Sequence, residues 1–232
     1  MVEPVARRAS VYRGEGSGRF QRCAWNTGRG LSKLITAVLF RLRVQGQENV
    51  PADGPVLLVT NHQSFLDPWL IGVHLRRQIH YMARDTLFKG GFLTWLMELL
   101  NSFPVKRGAA DLQAIRETVQ RLDQGHMVNI FPEGTRTIPG KPVKFQRGVA
   151  AIALHSGASI LPVTLGCSPT TLTKREKWYE IPPRKFILSL HVGHDIEVGP
   201  IDKNAGRSLA TRNLTRQLEQ YFIEQLAHHG KP

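Results

Sequence analysis

Three features of the sequence predict an α/β fold with a mostly parallel central sheet flanked by helices. Short apolar runs rich in Val, Ile and Leu recur along the 232 residues. Longer stretches of helical period separate them, and strands that alternate with helices build parallel sheets. The two polar clusters that stand out, Asn61–Asp67 and Glu133–Arg136, each follow directly on such a run. That is where open α/β sheets bind ligands. An N-terminal amphipathic, membrane-associated helix is expected in addition.

Residues 1–30 are rich in Arg, Gly and Ser and read as a basic flexible tail. Leu31–Leu42 is the first helix, and residues 31–45 form its segment. Leu31, Leu34, Ile35, Val38, Leu39 and Leu42 share one face, flanked by Lys33, Arg41 and Arg43. Two readings are open: a helix lying in a membrane interface, or one packed on the domain. The α/β domain proper spans 46–232. Val50–Pro55 is turn chemistry. Pro55–Thr60 is a buried strand, Pro68 to about Leu75 a helix, and Gln78–Ala83 a second strand. Leu87–Leu100 is unusually apolar, interrupted by Gly90–Gly91. It is either a buried helix or a surface that admits an acyl chain or touches lipid. Ala109–Leu122 and Val149–His155 read as helices, and Met127–Phe131, Ser159–Leu165 and Lys185–Val192 as strands. Ser208–His228 reads as a terminal helix.

Thirty-one Lys and Arg against 18 acidic residues give a formal net charge of +13. Such a surplus favours anionic partners: nucleic acid, anionic lipid or phosphate-bearing substrates. Nine of these cations, against three Glu, lie in the first 50 residues. Cys23 and Cys167 have no metal-like spacing and read as reduced thiols. No apolar core of the signal-peptide kind and no uninterrupted membrane-spanning stretch is present.

His62 sits where a strand ends and Asp67 where a helix begins. Pro68 suits the first helical position, which makes Asp67 a natural N-cap. Across a strand–loop–helix junction His62 and Asp67 can meet, and a carboxylate fixes an imidazole's tautomer and raises its basicity. The plainer alternative is that Asp67 only caps the helix, with Ser64 in a capping box. In the second cluster, Gly134 lets backbone amides approach an anion, and Thr135 offers a hydroxyl. Arg136 presents a planar fork that matches phosphate oxygens. Glu133 pairs with Arg136 or accepts from a substrate hydroxyl. Lys106-Arg107-Gly108 is a further basic turn after a strand.

Together these residues resemble the glycerolipid acyltransferase family, best known from the 1-acyl-glycerol-3-phosphate acyltransferases. Its first motif, N-H-x4-D, is Asn61, His62 and Asp67. Its second centres on an arginine after a short strand, here Arg107 in Phe103–Gly108. Its third, F-P-E-G-T-R, is complete at Phe131–Arg136. Its fourth, a proline-containing apolar strand, is Ile160–Thr164. Order and spacing agree from about residue 43 to residue 165. Many members carry Phe-Lys-x-Gly after the third motif, whereas here it is Phe145-Gln146-Arg147-Gly148. The lysine is replaced by Gln146, which leaves Lys144 or Arg147 to supply its charge.

The resemblance implies transfer of a fatty acyl group from a thioester to the hydroxyl of 1-acyl-glycerol-3-phosphate, giving phosphatidic acid in phospholipid biosynthesis. His62 is the expected general base, oriented by Asp67. Arg107, Glu133, Gly134, Thr135 and Arg136 are the expected acceptor-binding residues. No cofactor and no metal is expected. The donor is acyl-CoA or acyl carrier protein, and the partners are a lysophospholipid acceptor and an anionic membrane surface, with no nucleic acid. The location implied is peripheral, or monotopic, on the cytoplasmic side of a membrane. The alternatives are another lysolipid or glycerol-3-phosphate as acceptor, and a non-catalytic basic module.

Overall fold

A computed structural model describes residues 19–91, 94–95, 97, 100–105, 112–137, 144–167, 187–196 and 206–229. Its strands are β1 (Arg41–Gln45), β2 (Val56–Thr60), β3 (Ile79–Arg84), β4 (Ser102–Val105), β5 (Met127–Ile130), β6 (Ser159–Cys167) and β7 (Ile187–Val192). Its helices among the described residues are α1 (Arg19–Leu39), α2 (Asp67–His74), α3 (Leu112–Asp123), α4 (Gly148–Ser156) and α5 (Gly206–His229). The strands form one sheet in the order β1-β7-β6-β2-β5-β3-β4. Every neighbouring pair is parallel except β6 and β7.

Strand β2 lies at the centre, between β5 and β6, and is buried at all five positions. Its side chains alternate between two cores, as the pleat requires. Leu57 and Val59 join Val128, Ile130, Ile160 and the helix residues Leu122, Val149, Ile152, Leu218 and Phe222. Val56 and Leu58 join Ile71 of α2 and Leu75 just after it, with Ile79, Tyr81, Met127 and Leu161. Helices α3, α4 and α5 therefore cover one face, and α2 the other. A strand covered on both faces has no polar side, which is why β2 reads as a continuous apolar run.

The N-terminal segment differs from its sequence reading. Within the described residues the helix runs over Arg19–Leu39, and residues 41–45 are an edge strand parallel to β7. Residues 19–30 are thus helix rather than flexible tail; residues 1–18 lie outside the described residues. Leu42 leaves the proposed helix face and packs in a small cluster around Phe40 and Leu70. The Arg-Leu-Arg-Val-Gln pattern alternates with period two, and its pairing partner lies more than 140 residues away, so nothing local distinguishes it from a helix end. Leu31, Leu34, Ile35, Val38 and Leu39 are exposed. In the apolar stretch Leu87–Leu100, Asp85–Phe88 is a 3-10 turn and Trp95 and Leu100 are exposed.

Candidate active site

The central strand β2 ends at Thr60, and the next seven residues build the site. Asn61 is buried and turns its amide onto β6: its Nδ2 donates to the Leu165 carbonyl at 2.8 Å, and the Leu165 N–H donates to its Oδ1 at 2.7 Å. The side chain substitutes for one more backbone pair of the ladder, holding the start of the loop to the sheet. Beside it Thr60 Oγ1 donates to Asn129 Oδ1 on β5 at 2.6 Å.

His62 and Asp67 meet as expected. His62 Nδ1 lies 2.8 Å from Asp67 Oδ2. The His62 side chain is 19% exposed and that of Asp67 3%. The same Oδ2 accepts the N–H groups of Gln63 and Ser64, both at 2.8 Å. Three donors converging on one oxygen fix the carboxylate, and the bond from Nδ1 assigns the neutral ring its Nδ1–H tautomer. Nε2 is then left with a lone pair. Asp67 is not the N-cap. Leu66 occupies that place without a side-chain bond, and Asp67 is the first helical residue, its side chain turned back on the loop. Tyr81 on β3 donates its hydroxyl to the Pro68 carbonyl at 2.9 Å, pinning the helix start to the sheet.

The second cluster comes from β5, the strand next to β2, so adjacent C-terminal ends bring the two motifs together. Phe131 stacks on the His62 ring at 4.1 Å between centroids. Glu133 is buried, and its Oε1 accepts the His62 backbone N–H at 3.0 Å. Its Oε2 is buried with no hydrogen-bond partner among the described residues. Burial, opposed by hydrogen bonds from the His62 and Glu133 amides and reinforced by the charge of Asp67, pushes its carboxyl up to about 7. Glu133 does not pair with Arg136, as no such ion pair occurs among the described residues.

Gly134 has φ +67°, and its N–H closes a turn onto the Phe131 carbonyl at 3.0 Å. A Cβ there would stand 2.3 Å from Gln146 Nε2, so Gln146 lies directly over the turn. Thr135 and Arg136 are half-buried on the same loop. Arg107 lies outside the described residues. Thr137 was not singled out from the sequence. Its N–H and Oγ1 both donate to the His62 carbonyl, at 2.7 and 3.0 Å, so both backbone polar groups of His62 are held by the second motif. The only sequence signal for it was its place next to Arg136.

Among the described residues this arrangement presents a fixed imidazole with no partner on Nε2, beside a buried carboxyl with one unused oxygen. It suits proton abstraction from a hydroxyl. Among the described residues no group of His, Cys, Asp and Glu could hold a metal ion.

The profile of the family described as Acyltransferase matches residues 41–166. The chain is 34% identical over 131 residues to a 1-acyl-sn-glycerol-3-phosphate acyltransferase of Bacillus subtilis, covering 56% of this chain and 65% of that protein. It is 32% identical over 173 residues to one of Chlamydomonas reinhardtii, covering 73% and 50%. The alignments thus span half to about two thirds of those relatives' lengths. The solved structure of PlsC, the 1-acyl-sn-glycerophosphate acyltransferase of Thermotoga maritima, superimposes with a TM-score of 0.73 at 23% identity. That match covers 98% of this chain and 88% of the other, and shows a shared fold.

Proposed function

This chain belongs to the acyltransferase family, and from that premise we propose that it transfers a fatty acyl group from a thioester to the hydroxyl of 1-acyl-glycerol-3-phosphate, giving phosphatidic acid. The observation that carries the reading is the contact between His62 Nδ1 and Asp67 Oδ2. A neutral alcohol is a poor nucleophile, and a positioned base that removes its proton as it attacks lowers the barrier. His62 Nε2 takes that proton while the oxygen bonds to the thioester carbonyl. The Asp67 carboxylate stabilises the imidazolium that forms. As the C–S bond breaks, the imidazolium returns the proton to the leaving thiolate. No acyl-enzyme is required.

Arg107 and Arg136 hold the acceptor's phosphate. Glu133 Oε2, the unused buried acceptor, receives a glycerol hydroxyl, and Gly134 and Thr135 shape the turn around it. Acyl-CoA and acyl carrier protein are both anionic donors suited to a basic surface. No helix among the described residues is long and apolar enough to cross a membrane. The acceptor lives in a bilayer, so the protein works as a monotopic enzyme on the cytoplasmic face, attached by the exposed apolar residues of α1 and the cations beside them. The named relatives support this acceptor class.

The test is to incubate the purified protein with labelled acyl-CoA or acyl carrier protein and a panel of acceptors: lysophosphatidic acid, glycerol-3-phosphate, other lysophospholipids and an amino-acid-containing lysolipid. Phosphatidic acid is the expected product. His62→Ala should cost roughly 10²–10⁴-fold in rate. A folded His62→Ala protein with full activity would remove His62 from the mechanism. Acylation of a different acceptor alone would leave the chemistry and change the substrate.

A further inference from the structure

Arg29 lies on α1, yet its guanidinium donates to the C-terminal end of α2 and the residues just after it. Its Nε donates to the Val73 carbonyl at 2.8 Å, Nη1 to the Arg76 carbonyl at 3.3 Å and Nη2 to the Leu75 carbonyl. These are the carbonyls at and just beyond the C-terminal end of α2, where a helix is short of donors and carries partial negative charge. No carboxylate pairs with Arg29 among the described residues. Burial, and then Arg76, push its pKa below the ordinary arginine value.

About two helical turns further on, Thr36 is fully buried, and its Oγ1 lies 3.2 Å from His74 Nε2. Burial, then Lys33 and Arg29, hold His74 down at about 4, so the ring is neutral there at physiological pH. Further on again, Phe40 packs on Leu70, with Leu66 and Trp69 against the pair. From Arg29 through Thr36 to Phe40, just past the end of α1, the partners run from the C-terminal end of α2 and the residues after it back to Leu70, Trp69 and Leu66. The end of α1 thus arrives near the start of α2.

The start of α2 is the catalytic loop. Leu66 is flanked by Phe65, 70% exposed, and by Asp67, which holds His62. Helix α2 has eight residues, so about 12 Å separates the Arg29 contacts from Asp67. The opposite face of α1 carries Leu31, Leu34, Ile35, Val38 and Leu39, all exposed; Lys33, toward the α2 side, and Arg41 and Arg43, just past the helix on β1, are exposed too. Apolar side chains fringed by cations match an anionic lipid surface.

We propose that Arg29 is a positioning residue: by locking α1 to the C-terminal end of α2, it fixes how an anionic bilayer held by α1 meets Phe65 and the catalytic loop at the other end of α2. The role rests on the membrane acyltransferase reading above. Arginine is specific for it, because its planar fork reaches three diverging carbonyls and a lysine ammonium does not. Without the lock α1 still binds lipid, but the catalytic loop is no longer held at a set angle to the surface.

The experiment compares the parent protein, Arg29→Ala and Arg29→Lys on vesicles of phosphatidylglycerol and phosphatidylcholine. Three quantities are read: sedimentation with the vesicles, the depth of position 65, and turnover. Depth is the extra fluorescence quenching by brominated lipid that Phe65→Trp adds in each background. Turnover is measured on lysophosphatidic acid embedded in vesicles and on a short-chain, water-soluble analogue without vesicles. In Arg29→Ala, sedimentation and turnover of the soluble analogue should stay within twofold of the parent. Quenching at position 65 should fall by half or more, and turnover of the embedded acceptor about tenfold. Arg29→Lys should fall between, and its values decide should Arg29→Ala fail to fold by circular dichroism. Unchanged quenching at position 65 overturns the proposal. So does an equal loss on both acceptors, which would make Arg29 a support of the site itself. A parent protein that acylates neither acceptor defeats the functional reading alone, and the quenching comparison still decides the role of Arg29.

Discussion

Glu133 shows how one buried carboxyl ties stability to function. It accepts the His62 N–H with one oxygen, and the other is buried with no partner among the described residues. Folded, it keeps its proton to about pH 7; unfolded, it ionises near 4.5. Between those values the folded state binds more protons, so stability falls as pH rises through the window and the cost is constant above it. Glu133→Gln keeps an oxygen for the His62 amide and removes the charge. It should stabilise the protein at pH 8 by on the order of 3 kcal/mol and leave it nearly unchanged at pH 4. Thermal melts at both values check this; an equal gain at both would mean packing rather than ionisation. On the proposed function a substrate hydroxyl would satisfy that same buried oxygen, so the variant should also lose affinity for the acceptor.

Junctions between elements carry the next layer. The Asn61 amide stitches the end of β2 to β6, and Asn61→Ala strands the N–H and carbonyl of Leu165 in a buried setting. A loss of roughly 2 kcal/mol is expected from the denaturant midpoint, since each buried unsatisfied group costs about 1–3 kcal/mol. At the opposite edge of the sheet, His80 of β3 stacks on His126 at 4.4 Å and lies 2.6 Å from Arg121 Nη1 of α3. Arg121 also sits over the Phe103 ring and pairs with Glu117. Burial, then Arg121 and His126, push His80 down to about 3. The folded protein refuses a proton that the unfolded chain takes near 6.5, so stability is lost as pH falls through that range. His80→Gln keeps an acceptor for Arg121 and should recover about 2 kcal/mol at pH 5 while changing little at pH 8. Urea unfolding at the two pH values separates this from a general effect, which would appear at both.

Taken whole, the molecule places its candidate active site at the C-terminal ends of the central strands and its exposed apolar helix beside α2. Leu34 and Val38 are 61% and 54% exposed, so replacing both by Glu removes no core contact. The double variant should keep the parent melting temperature and lose binding to anionic vesicles, by about tenfold for each side chain withdrawn from the bilayer. High salt should weaken the parent's binding to anionic vesicles and affect neutral ones little. Equal sedimentation of parent and variant would place the lipid contact elsewhere, with Trp95 and Leu100 the next exposed apolar residues.

Local chemistry made β2, β5, α2 and the two loops after the strands legible, because an all-apolar run, a proline at a helix start and a complete Phe131–Arg136 motif are readable in short windows. It let His62 and Asp67 meet across a strand–helix junction, and the resemblance carried by both motifs favoured that over a plain helix cap; their contact is a finding of the structure. What the chain did not disclose depends on residues far apart. Strand β1 exists because β7 offers it a parallel edge, and β7 reverses against β6. Asp67 leaves the cap position because three donors of the loop draw its carboxylate back. Glu133 and Thr137 grip the backbone of His62 across 71 and 75 residues, and Arg29 reaches α2 across more than 40. Sequence patterns report which face of an element is apolar and where the backbone must turn. Which buried donor meets which acceptor is decided only when the sheet order sets the strands side by side, because each such bond needs a distance and an angle that no single segment contains.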